Sequence, residues 1–329
     1  MVLRSPKTAK LETMADHDIL VTAPLPPFLY DPLKADYRCH DYNAADNKPS
    51  LLAAAGASVR GLVQGGGTVT PVSLLDALPK LELISVFGVG YDGVPVDYCR
   101  KRGIKVTNTP DVLTDDVADV AVGLILMTGR GFVRLNRFVQ AGDWERRGPE
   151  LTTKLSGKRV GILGLGRIGK AIAQRVQAMG MDVAYTGRKP QDVPYRYLPS
   201  LQALAGDVDF LIVACPGGEA TKNIVNAEIL VALGQKGTLI NIARGSIVDE
   251  AALVAALQAG TIKGAGLDVF ADEPHIPAAM MTMDNVVLLP HVGSATNETR
   301  KAMGDLCKAN LDAWFRTGRV LTLIAELQG

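Results

Sequence analysis

Short apolar runs recur along the chain and alternate with stretches of helical periodicity. In the second half, these runs occupy residues 159–163, 183–186, 208–214, 238–242, 265–269 and 286–289. They are continuously apolar, which is typical of strands that are covered on both faces. Strands that alternate with helical segments indicate βαβ units and a parallel sheet. We therefore predict a doubly wound α/β domain in this part of the chain.

A second, shorter series of apolar runs precedes the first. It occupies residues 19–21, 61–63, 83–86 and 105–107, and residues 71–78 have a helical pattern between two of them. The last periodic stretch, 298–316, is helical and has no strand of its own, so we expect it to return to the first series. We predict two doubly wound parallel-sheet domains, with residues 109–296 inserted into a domain formed by residues 1–108 and 297–329.

A helical stretch at residues 115–128 stands between the two series. Its apolar positions have the spacing of one helix face, and they are Val117, Val120, Ala121, Leu124 and Ile125. Such a face either packs in the core of a domain or forms a subunit interface, and the spacing is compatible with both.

Length, charge and cysteine usage exclude several classes of protein. At 329 residues and 47% hydrophobic content, the chain is long enough for two cores. Its 35 basic and 34 acidic residues give a net charge of +1, so we expect neither nucleic acid nor a membrane as partner. The four cysteines are far apart, which predicts reduced thiols and no metal site. No apolar run reaches the roughly 18 residues of a membrane span, so we expect a cytoplasmic protein.

A glycine-rich hexapeptide directly follows the run 159–163 and opens a helical pattern. Its residues are Gly164, Leu165, Gly166, Arg167, Ile168 and Gly169. In such a strand–turn–helix crossing, the first glycine permits the turn and the second lets a pyrophosphate approach the backbone. The third lets the helix pack closely on its strand, and the helix N-terminus then holds the anion. The motif predicts a dinucleotide site.

The end of the next predicted strand distinguishes between the nicotinamide cofactors. An NAD-binding domain usually has an acidic residue about 20 residues beyond the glycines, where it binds the ribose hydroxyls. This chain has Gly187, Arg188 and Lys189 there. Because no carboxylate repels a 2′-phosphate and two cations can receive it, we predict that NADP(H) is preferred over NAD(H). The alternative is a solvated basic turn.

Three side chains suited to acid–base chemistry follow successive predicted strands. Arg244 follows the run 238–242, Glu273 follows 265–269, and His291 follows 286–289. Each of them alone is ordinarily a surface charge or a structural residue. The carboxyl ends of parallel strands line the ligand crevice of a doubly wound sheet, so together they favour an active site with a histidine general acid.

The order of these motifs resembles that of the D-isomer-specific 2-hydroxyacid dehydrogenases. The resemblance rests on segments 161–169, 241–249, 266–274 and 289–294, and it covers the chain from about residue 18 to residue 323. Segments 106–119 and 151–159 look most like the NADPH-dependent glyoxylate/hydroxypyruvate reductases of that family. The resemblance implies a Rossmann cofactor domain inserted into a flavodoxin-like substrate domain, and a homodimer.

The resemblance also implies roles for individual residues. His291 would protonate the carbonyl oxygen of a 2-oxo acid, Glu273 would orient the histidine ring, and Arg244 would hold the substrate carboxylate or carbonyl oxygen. The implied substrate ligands further include the N–H groups of Val89 and Gly90. Trp144 resembles a tryptophan that reaches toward the partner subunit's substrate site.

The implied cofactor contacts lie in several loops. Besides the glycine hexapeptide and residues 187–189, they are Cys215, Pro216 and Thr221 near the adenine and ribose, Ile242 and Ala243 near the nicotinamide, Asp268 at its carboxamide, and Gly293 nearby.

The expected activity is NADPH-dependent reduction of glyoxylate to glycolate and of hydroxypyruvate to D-glycerate by hydride transfer. One alternative is a 3-phosphoglycerate dehydrogenase or another D-2-hydroxyacid dehydrogenase. The missing acidic residue at position 187 and the short segment after the last helix argue against the former. An alternative of a different class is a nucleotide-sensing protein like the transcriptional corepressors, which retain the arginine, glutamate and histidine.

Overall fold

The chain divides into two units along its length. The computed structural model describes residues 14–328, and residues 1–13, to which we assign no function, lie outside this range. Unit 1 comprises Met1–Pro110 and Arg300–Gly329, and unit 2 comprises Asp111–Thr299. These divisions fall two and three residues after the expected ones at 108 and 296.

In unit 1, strands and helices alternate along the chain. In order, they are β1 (Asp18–Val21), α1 (Pro27–Asp36), β2 (Arg38–Asp41), α2 (Lys48–Ala55), β3 (Val59–Gly65), α3 (Val72–Asp76), β4 (Leu83–Phe87), α4 (Val96–Arg102) and β5 (Lys105–Thr107).

The sheet of unit 1 has the strand order β2-β1-β3-β4-β5. All pairings between these strands are parallel. This is the flavodoxin-like order, in which the strand order reverses between β1 and β3. Every residue of β1 and of β4 is buried, as expected for apolar strands covered on both faces. The edge strand β2 is more exposed and polar, which is why the hydrophobic pattern did not predict it.

Unit 2 begins with two helices and continues with alternating strands and helices. In order, they are α5 (Thr114–Gly129), α6 (Phe132–Gln140), β6 (Arg159–Leu163), α7 (Arg167–Ala178), β7 (Asp182–Thr186), β8 (Arg196–Tyr197), α8 (Leu201–Ala205), β9 (Phe210–Val213), α9 (Ala227–Leu233), β10 (Thr238–Asn241), α10 (Glu250–Gln258), β11 (Gly264–Leu267) and β12 (Val286–Leu288).

The sheet of unit 2 has the strand order β12-β11-β10-β9-β6-β7-β8, and its strand pairings are parallel. When β6 is counted as the first strand, β8-β7-β6-β9-β10-β11 has the order 3-2-1-4-5-6 of a Rossmann sheet. Strand β12 adds a seventh strand next to β11. The order reverses between β6 and β9, so ligands are expected outside the carboxyl ends of these two strands. The predicted α/β class with two parallel-sheet domains is confirmed.

Helix α5 packs in the core of unit 2 through the apolar face identified in the sequence. Val117, Ala121, Leu124 and Ile125 are all buried. A Cβ atom added at Gly266 of β11 would lie 3.1 Å from the Cβ of Leu124, which shows how closely the helix approaches that strand.

The last helix, α11 (Asn297–Thr317), contacts the sheet of unit 1. The Ser85 hydroxyl on β4 donates a hydrogen bond of 2.9 Å to the Cys307 carbonyl oxygen on α11. Leu311 of the same helix is fully buried and lies against Gly61 of β3. Among the described residues, no helix is both long and apolar enough to cross a membrane.

Candidate active site

The side chains of His291 and Glu273 form a close pair at the carboxyl ends of β11 and β12. The Nδ1 atom of His291 lies 2.7 Å from Oε2 of Glu273. His291 has a φ of 54°, a left-handed conformation that few residues other than glycine adopt, although histidine is among the more tolerant ones. Its backbone N–H donates to the Asp268 carbonyl oxygen at 2.9 Å, which holds the main chain at this position.

A buried carboxylate anchors the turn that carries His291. The N–H groups of Val292 and Gly293 donate to the two carboxylate oxygens of Asp268 at 2.7 and 2.8 Å. Asp268 is 1% exposed, and this burial raises its pKa above the ordinary value, although the two hydrogen bonds act in the opposite direction. Asp268 therefore has a positioning role in this structure, and its contact with a carboxamide stays a prediction.

Glu273 is held in its ionised form. Burial favours the neutral acid, but hydrogen bonds from His291 and from the Phe270 N–H, together with the charges of His291 and Arg244, keep the pKa of Glu273 below its ordinary value. The Phe270 N–H donates to Oε1 at 3.0 Å. An ionised carboxylate only accepts hydrogen bonds, so Nδ1 of His291 is the donor in the pair. Its Nε2 atom is then the one that can exchange a proton with a substrate.

Arg244 lies in the turn after β10, and this turn is held tightly. The Asn241 side chain accepts a hydrogen bond from the Ala243 N–H at 3.1 Å and donates one to the Arg244 carbonyl oxygen at 2.9 Å. At the next position, a Cβ atom added to Gly245 would lie 1.9 Å from the Phe270 carbonyl carbon. Only glycine fits there, because the turn after β10 approaches the backbone that leads to Glu273.

The glycine hexapeptide lies at the carboxyl end of β6, where the strand order reverses. Gly164 has a φ of 96°, and a Cβ atom there would lie 2.7 Å from the Cα of Cys215, which follows β9. At Gly169, an added Cβ atom would lie 2.3 Å from the Gly164 carbonyl oxygen. The first and third glycines therefore have the turn-forming and packing roles that the motif predicts.

The middle glycine and the start of α7 leave room for an anion. A Cβ atom added at Gly166 would meet nothing within 4 Å. The first main-chain bond of the helix runs from the Lys170 N–H to the Gly166 carbonyl oxygen at 2.9 Å, so the N–H groups before Lys170 have no acceptor within the helix. These features fit the pyrophosphate of a dinucleotide.

The turn after β7 presents two exposed cations. Arg188 and Lys189 are exposed, and within residues 14–328 neither forms a hydrogen bond or an ion pair. Gly187 leaves open space, since an added Cβ atom would meet nothing within 4 Å. The Gln191 side chain donates to the Leu165 carbonyl oxygen at 2.9 Å, so it ties this turn to the glycine loop. Gln191 was not predicted to have a role, because a glutamine in a loop carries no recognisable sequence signal.

The remaining cofactor candidates in unit 2 follow β9 and β10. The Thr221 hydroxyl donates to the Pro216 carbonyl oxygen at 2.9 Å and closes the loop that begins at Cys215. Ile242 is buried and Ala243 is half-buried at the end of β10. Their contacts with a cofactor stay predictions.

Val89 and Gly90 lie in unit 1, in the loop after β4. Within the described residues, neither of their N–H groups donates a hydrogen bond. The Asn108 side chain donates to the Val89 carbonyl oxygen at 2.8 Å and so orients the loop. An added Cβ atom at Gly88 would lie 2.9 Å from the Cα of Gly66, so the loops after β3 and β4 are in close contact.

The other three histidines have partners of their own. His17 stacks on Phe315, and His40 bonds to Asp18, both in unit 1. The His275 side chain is 81% exposed, and its ion-pair partner is Asp272. Trp144 is 65% exposed, and its indole makes no hydrogen bond or ring contact within residues 14–328. In that same range, no group of three or more His, Cys, Asp or Glu side chains could hold a metal ion.

Comparison with known proteins identifies the family. The model described as D-isomer specific 2-hydroxyacid dehydrogenase, NAD binding domain, matches residues 122–293, more than half of the chain. The chain belongs to this family. The match includes the glycine hexapeptide and all three catalytic candidates. The D-2-hydroxyacid dehydrogenase is therefore an oxidoreductase with an NAD-binding domain in unit 2.

Three relatives of this dehydrogenase match it over almost their whole length. Hydroxyphenylpyruvate reductase of Plectranthus scutellarioides is 46% identical over 305 residues, which cover 92% of this chain and 97% of that protein. Glyoxylate/hydroxypyruvate reductase A of Arabidopsis thaliana is 46% identical over 306 residues, with the same coverage of each chain. A crystal structure of the NADPH-dependent glyoxylate/hydroxypyruvate reductase of Sinorhizobium meliloti with NADP and malonate has a TM-score of 0.89 and 48% identity, and covers 95% of this chain and 98% of that one.

Proposed function

We propose that this dehydrogenase reduces small 2-oxo acids with NADPH, converting glyoxylate to glycolate and hydroxypyruvate to D-glycerate. The proposal rests chiefly on the His291–Glu273 pair, which lies at the carboxyl edge of the sheet in the NAD-binding domain. The charge of Arg244 helps to lower the pKa of Glu273. Names of relatives support the substrate class, since the Arabidopsis and Sinorhizobium proteins are glyoxylate/hydroxypyruvate reductases.

Each residue of the candidate site has a definite task in this reaction. The bound reduced nicotinamide supplies a hydride to the carbonyl carbon of the substrate. Nε2 of His291 donates a proton to the carbonyl oxygen, and the ionised Glu273 stabilises the charged ring before the transfer. Arg244 binds the substrate carboxylate or carbonyl oxygen, because its guanidinium carries fixed donors and a permanent charge. In unit 1, the N–H groups of Val89 and Gly90 are further candidate ligands for the carboxylate.

The preference for NADP(H) is supported by the turn after β7. Arg188 and Lys189 have no partners within residues 14–328, and they stand where an NAD-binding domain usually has an acidic residue. A 2′-phosphate there would gain charge-assisted hydrogen bonds, whereas a ribose hydroxyl would lack its usual acceptor. The Sinorhizobium reductase, at 48% identity, was crystallised with NADP.

We also propose a homodimer, formed through residues 132–151 of unit 2. Helix α6 has no buried residue in the described chain. The exposed fractions of Phe132, Val139, Trp144 and Leu151 are 46, 52, 65 and 99%. Apolar side chains exposed together over one short stretch are typical of an association surface. Light scattering of the purified protein should give twice the chain mass of 34.9 kDa, and a monomer would contradict the proposal.

The activity is tested by following NADPH oxidation with glyoxylate, hydroxypyruvate, 3-phosphohydroxypyruvate and phenylpyruvate, each repeated with NADH. We expect turnover of the first two substrates and a higher kcat/KM with NADPH than with NADH. A preference for 3-phosphohydroxypyruvate would support the phosphoglycerate dehydrogenase alternative. Binding of NADPH without turnover of any acid would instead indicate a nucleotide-sensing protein.

A further inference from the structure

Four lysines line one cavity in unit 2, at the opposite ends of the strands from the candidate active site. The cavity has a volume of about 440 Å³, and its lining includes Lys154, Lys158, Lys236 and Lys263, with Asp209 as its acidic member. This volume lies within the range of sites that bind small molecules.

Asp209, the acidic residue of the cavity, is bound by neighbouring residues of the protein. The Asp209 carboxylate accepts hydrogen bonds of 2.9 Å from Lys158 Nζ and from the Arg159 N–H. Burial acts against ionisation, but these two donors hold the pKa of Asp209 below its ordinary value, so the residue is a carboxylate at neutral pH. Lys158 and Asp209 therefore cancel each other's charge.

In the described part of the chain, the other three lysines have no acidic partner. Within residues 14–328, the side chains of Lys154 and Lys236 form no hydrogen bond or ion pair, and the Lys263 ammonium donates only to the Thr153 hydroxyl. A lysine after a helix, as Lys236 is after α9, commonly stabilises the negative end of the helix dipole. Stabilisation of the helix dipole explains the position of Lys236. It does not explain why Lys154 and Lys263 line the same cavity. Like charges in one cavity repel each other, and a bound anion relieves this repulsion.

The cavity lies at the amino edge of the sheet. Lys158, Asp209 and Lys263 immediately precede β6, β9 and β11, whereas the catalytic candidates follow the carboxyl ends of β10, β11 and β12. Strands of four or five residues at about 3.3 Å per residue separate the two edges by roughly 15 Å. The lysine cavity is therefore distinct from the cofactor loop and from the His291–Glu273 pair.

We propose that this cavity binds a small anion with two phosphate groups, either inorganic pyrophosphate or a bisphosphate ester. The three ammonium groups that form no ion pair among the described residues match the charge of such an anion, and lysine binds phosphate as a point charge. The Thr153 hydroxyl adds a neutral donor. Phe210, the aromatic residue of the lining, is 2% exposed, so the cavity offers no ring on which a nucleobase could stack. This favours a compact phosphate over a nucleotide.

The test is calorimetric titration of the NADPH-saturated enzyme with pyrophosphate, and separately with a hexose bisphosphate. Saturation with NADPH keeps both probes away from the glycine loop and Arg188. We expect binding to the parent enzyme and a melting temperature raised by about 2–4 °C at saturating probe. Tighter binding of pyrophosphate indicates an inorganic ligand, and tighter binding of the bisphosphate indicates an ester.

Two variants probe the cavity and two serve as controls. We expect the double variant Lys236→Gln/Lys263→Gln to weaken binding at least about tenfold and to keep its kcat with NADPH. Lys154→Gln removes an ammonium group that forms no hydrogen bond or ion pair within residues 14–328, and it should weaken binding by about threefold, so the test does not depend on the double variant folding. Lys80→Gln in unit 1 and Arg188→Ala should bind like the parent.

Three results would overturn the proposal. The first is equal binding by the parent and by the lysine variants. The second is a stabilisation that sodium sulfate reproduces at the same ionic strength, because this would be general charge screening. The third is loss of binding in Arg188→Ala, because the probe would then occupy the cofactor site.

Discussion

The imidazole of His291 and the carboxylate of Glu273 meet at 2.7 Å, although the two residues are 18 positions apart and follow different strands. Each residue also forms a hydrogen bond with a main-chain group. The Phe270 N–H bonds to Glu273, and the His291 N–H bonds to the Asp268 carbonyl oxygen. Main-chain hydrogen bonds therefore help to fix the geometry of the pair, in addition to the contact between the two side chains.

Replacement of His291 should remove the general acid and leave the cofactor site intact. We choose His291→Asn, because asparagine tolerates the φ of 54° at this position. We expect kcat with NADPH and glyoxylate to fall by about 10²–10⁴-fold, while the Kd for NADPH changes by less than about twofold. His275→Asn, at an exposed histidine, is the matched control and should keep full activity. Equal rates for His291→Asn and the parent would exclude the proposed role.

The Glu273→Gln variant keeps the shape of the side chain and removes its charge. The ring of His291 then loses an ionised acceptor, so its charged form is less stable and kcat should fall at least about tenfold. The KM for glyoxylate should change much less, because Glu273 does not contact the substrate in the proposed mechanism. Asp272→Asn is the control, since this neighbouring carboxylate is 87% exposed. A change in KM alone would show that Glu273 binds substrate.

Arg188 should determine the choice of cofactor. Loss of one charge-assisted hydrogen bond to a phosphate costs about 1.5–3 kcal/mol, which corresponds to about a 10–150-fold change in affinity. We expect Arg188→Ala to raise the KM for NADPH by that factor and the KM for NADH by less than about threefold. Arg319→Ala, at an exposed arginine of unit 1, should change neither constant. Equal effects on the two cofactors would show that Arg188 does not recognise the 2′-phosphate.

Gly245→Ala should disrupt the turn that presents Arg244. The new methyl group would lie 1.9 Å from the Phe270 carbonyl carbon, so one of the two backbone segments must move. We expect a loss of at least about 2 kcal/mol in the free energy of unfolding, or insoluble protein. Urea denaturation checks this, with Gly148→Ala as control, because an added Cβ atom at Gly148 meets nothing within 4 Å. A stable and active Gly245→Ala variant would contradict the close approach.

Asp209 should make the stability of unit 2 depend on pH. Its pKa in the folded protein is below the ordinary value of 3.8, so the carboxylate contributes stability above that pH and loses it as the pH falls through the folded pKa. We expect Asp209→Asn to lower the free energy of unfolding by about 1–2 kcal/mol at pH 7. The difference from the parent should decrease as the pH falls below 3.8 toward the folded pKa, as measured by urea denaturation from pH 7 to pH 3. A constant difference would exclude this linkage.

The sequence predicted the central strands of both sheets, because their residues are apolar on both faces. It did not predict β2 and β8, which lie at sheet edges and include Arg38, Asp41 and Arg196. Edge strands are stabilised by pairing with a neighbour on one side, and their polar residues carry no periodic hydrophobic signal.

In the candidate site, the motifs predicted which residue types follow which strands. They did not predict how the turns are held. The carboxylate of Asp268 bonds to two N–H groups 24 and 25 positions away, and Gly245 approaches Phe270 at a similar separation. Such contacts depend on how adjacent strands bring their loops together in space, so local composition and spacing do not reveal them.

The anchoring of the His291 turn has a consequence for enzyme redesign. Because Asp268 holds the N–H groups of Val292 and Gly293, the turn keeps its shape without any bond from the imidazole at its tip. Position 291 can therefore accept other residues that tolerate a left-handed backbone, such as asparagine, aspartate or glycine. A library at this single position would compare different proton donors, or none, on an otherwise unchanged scaffold.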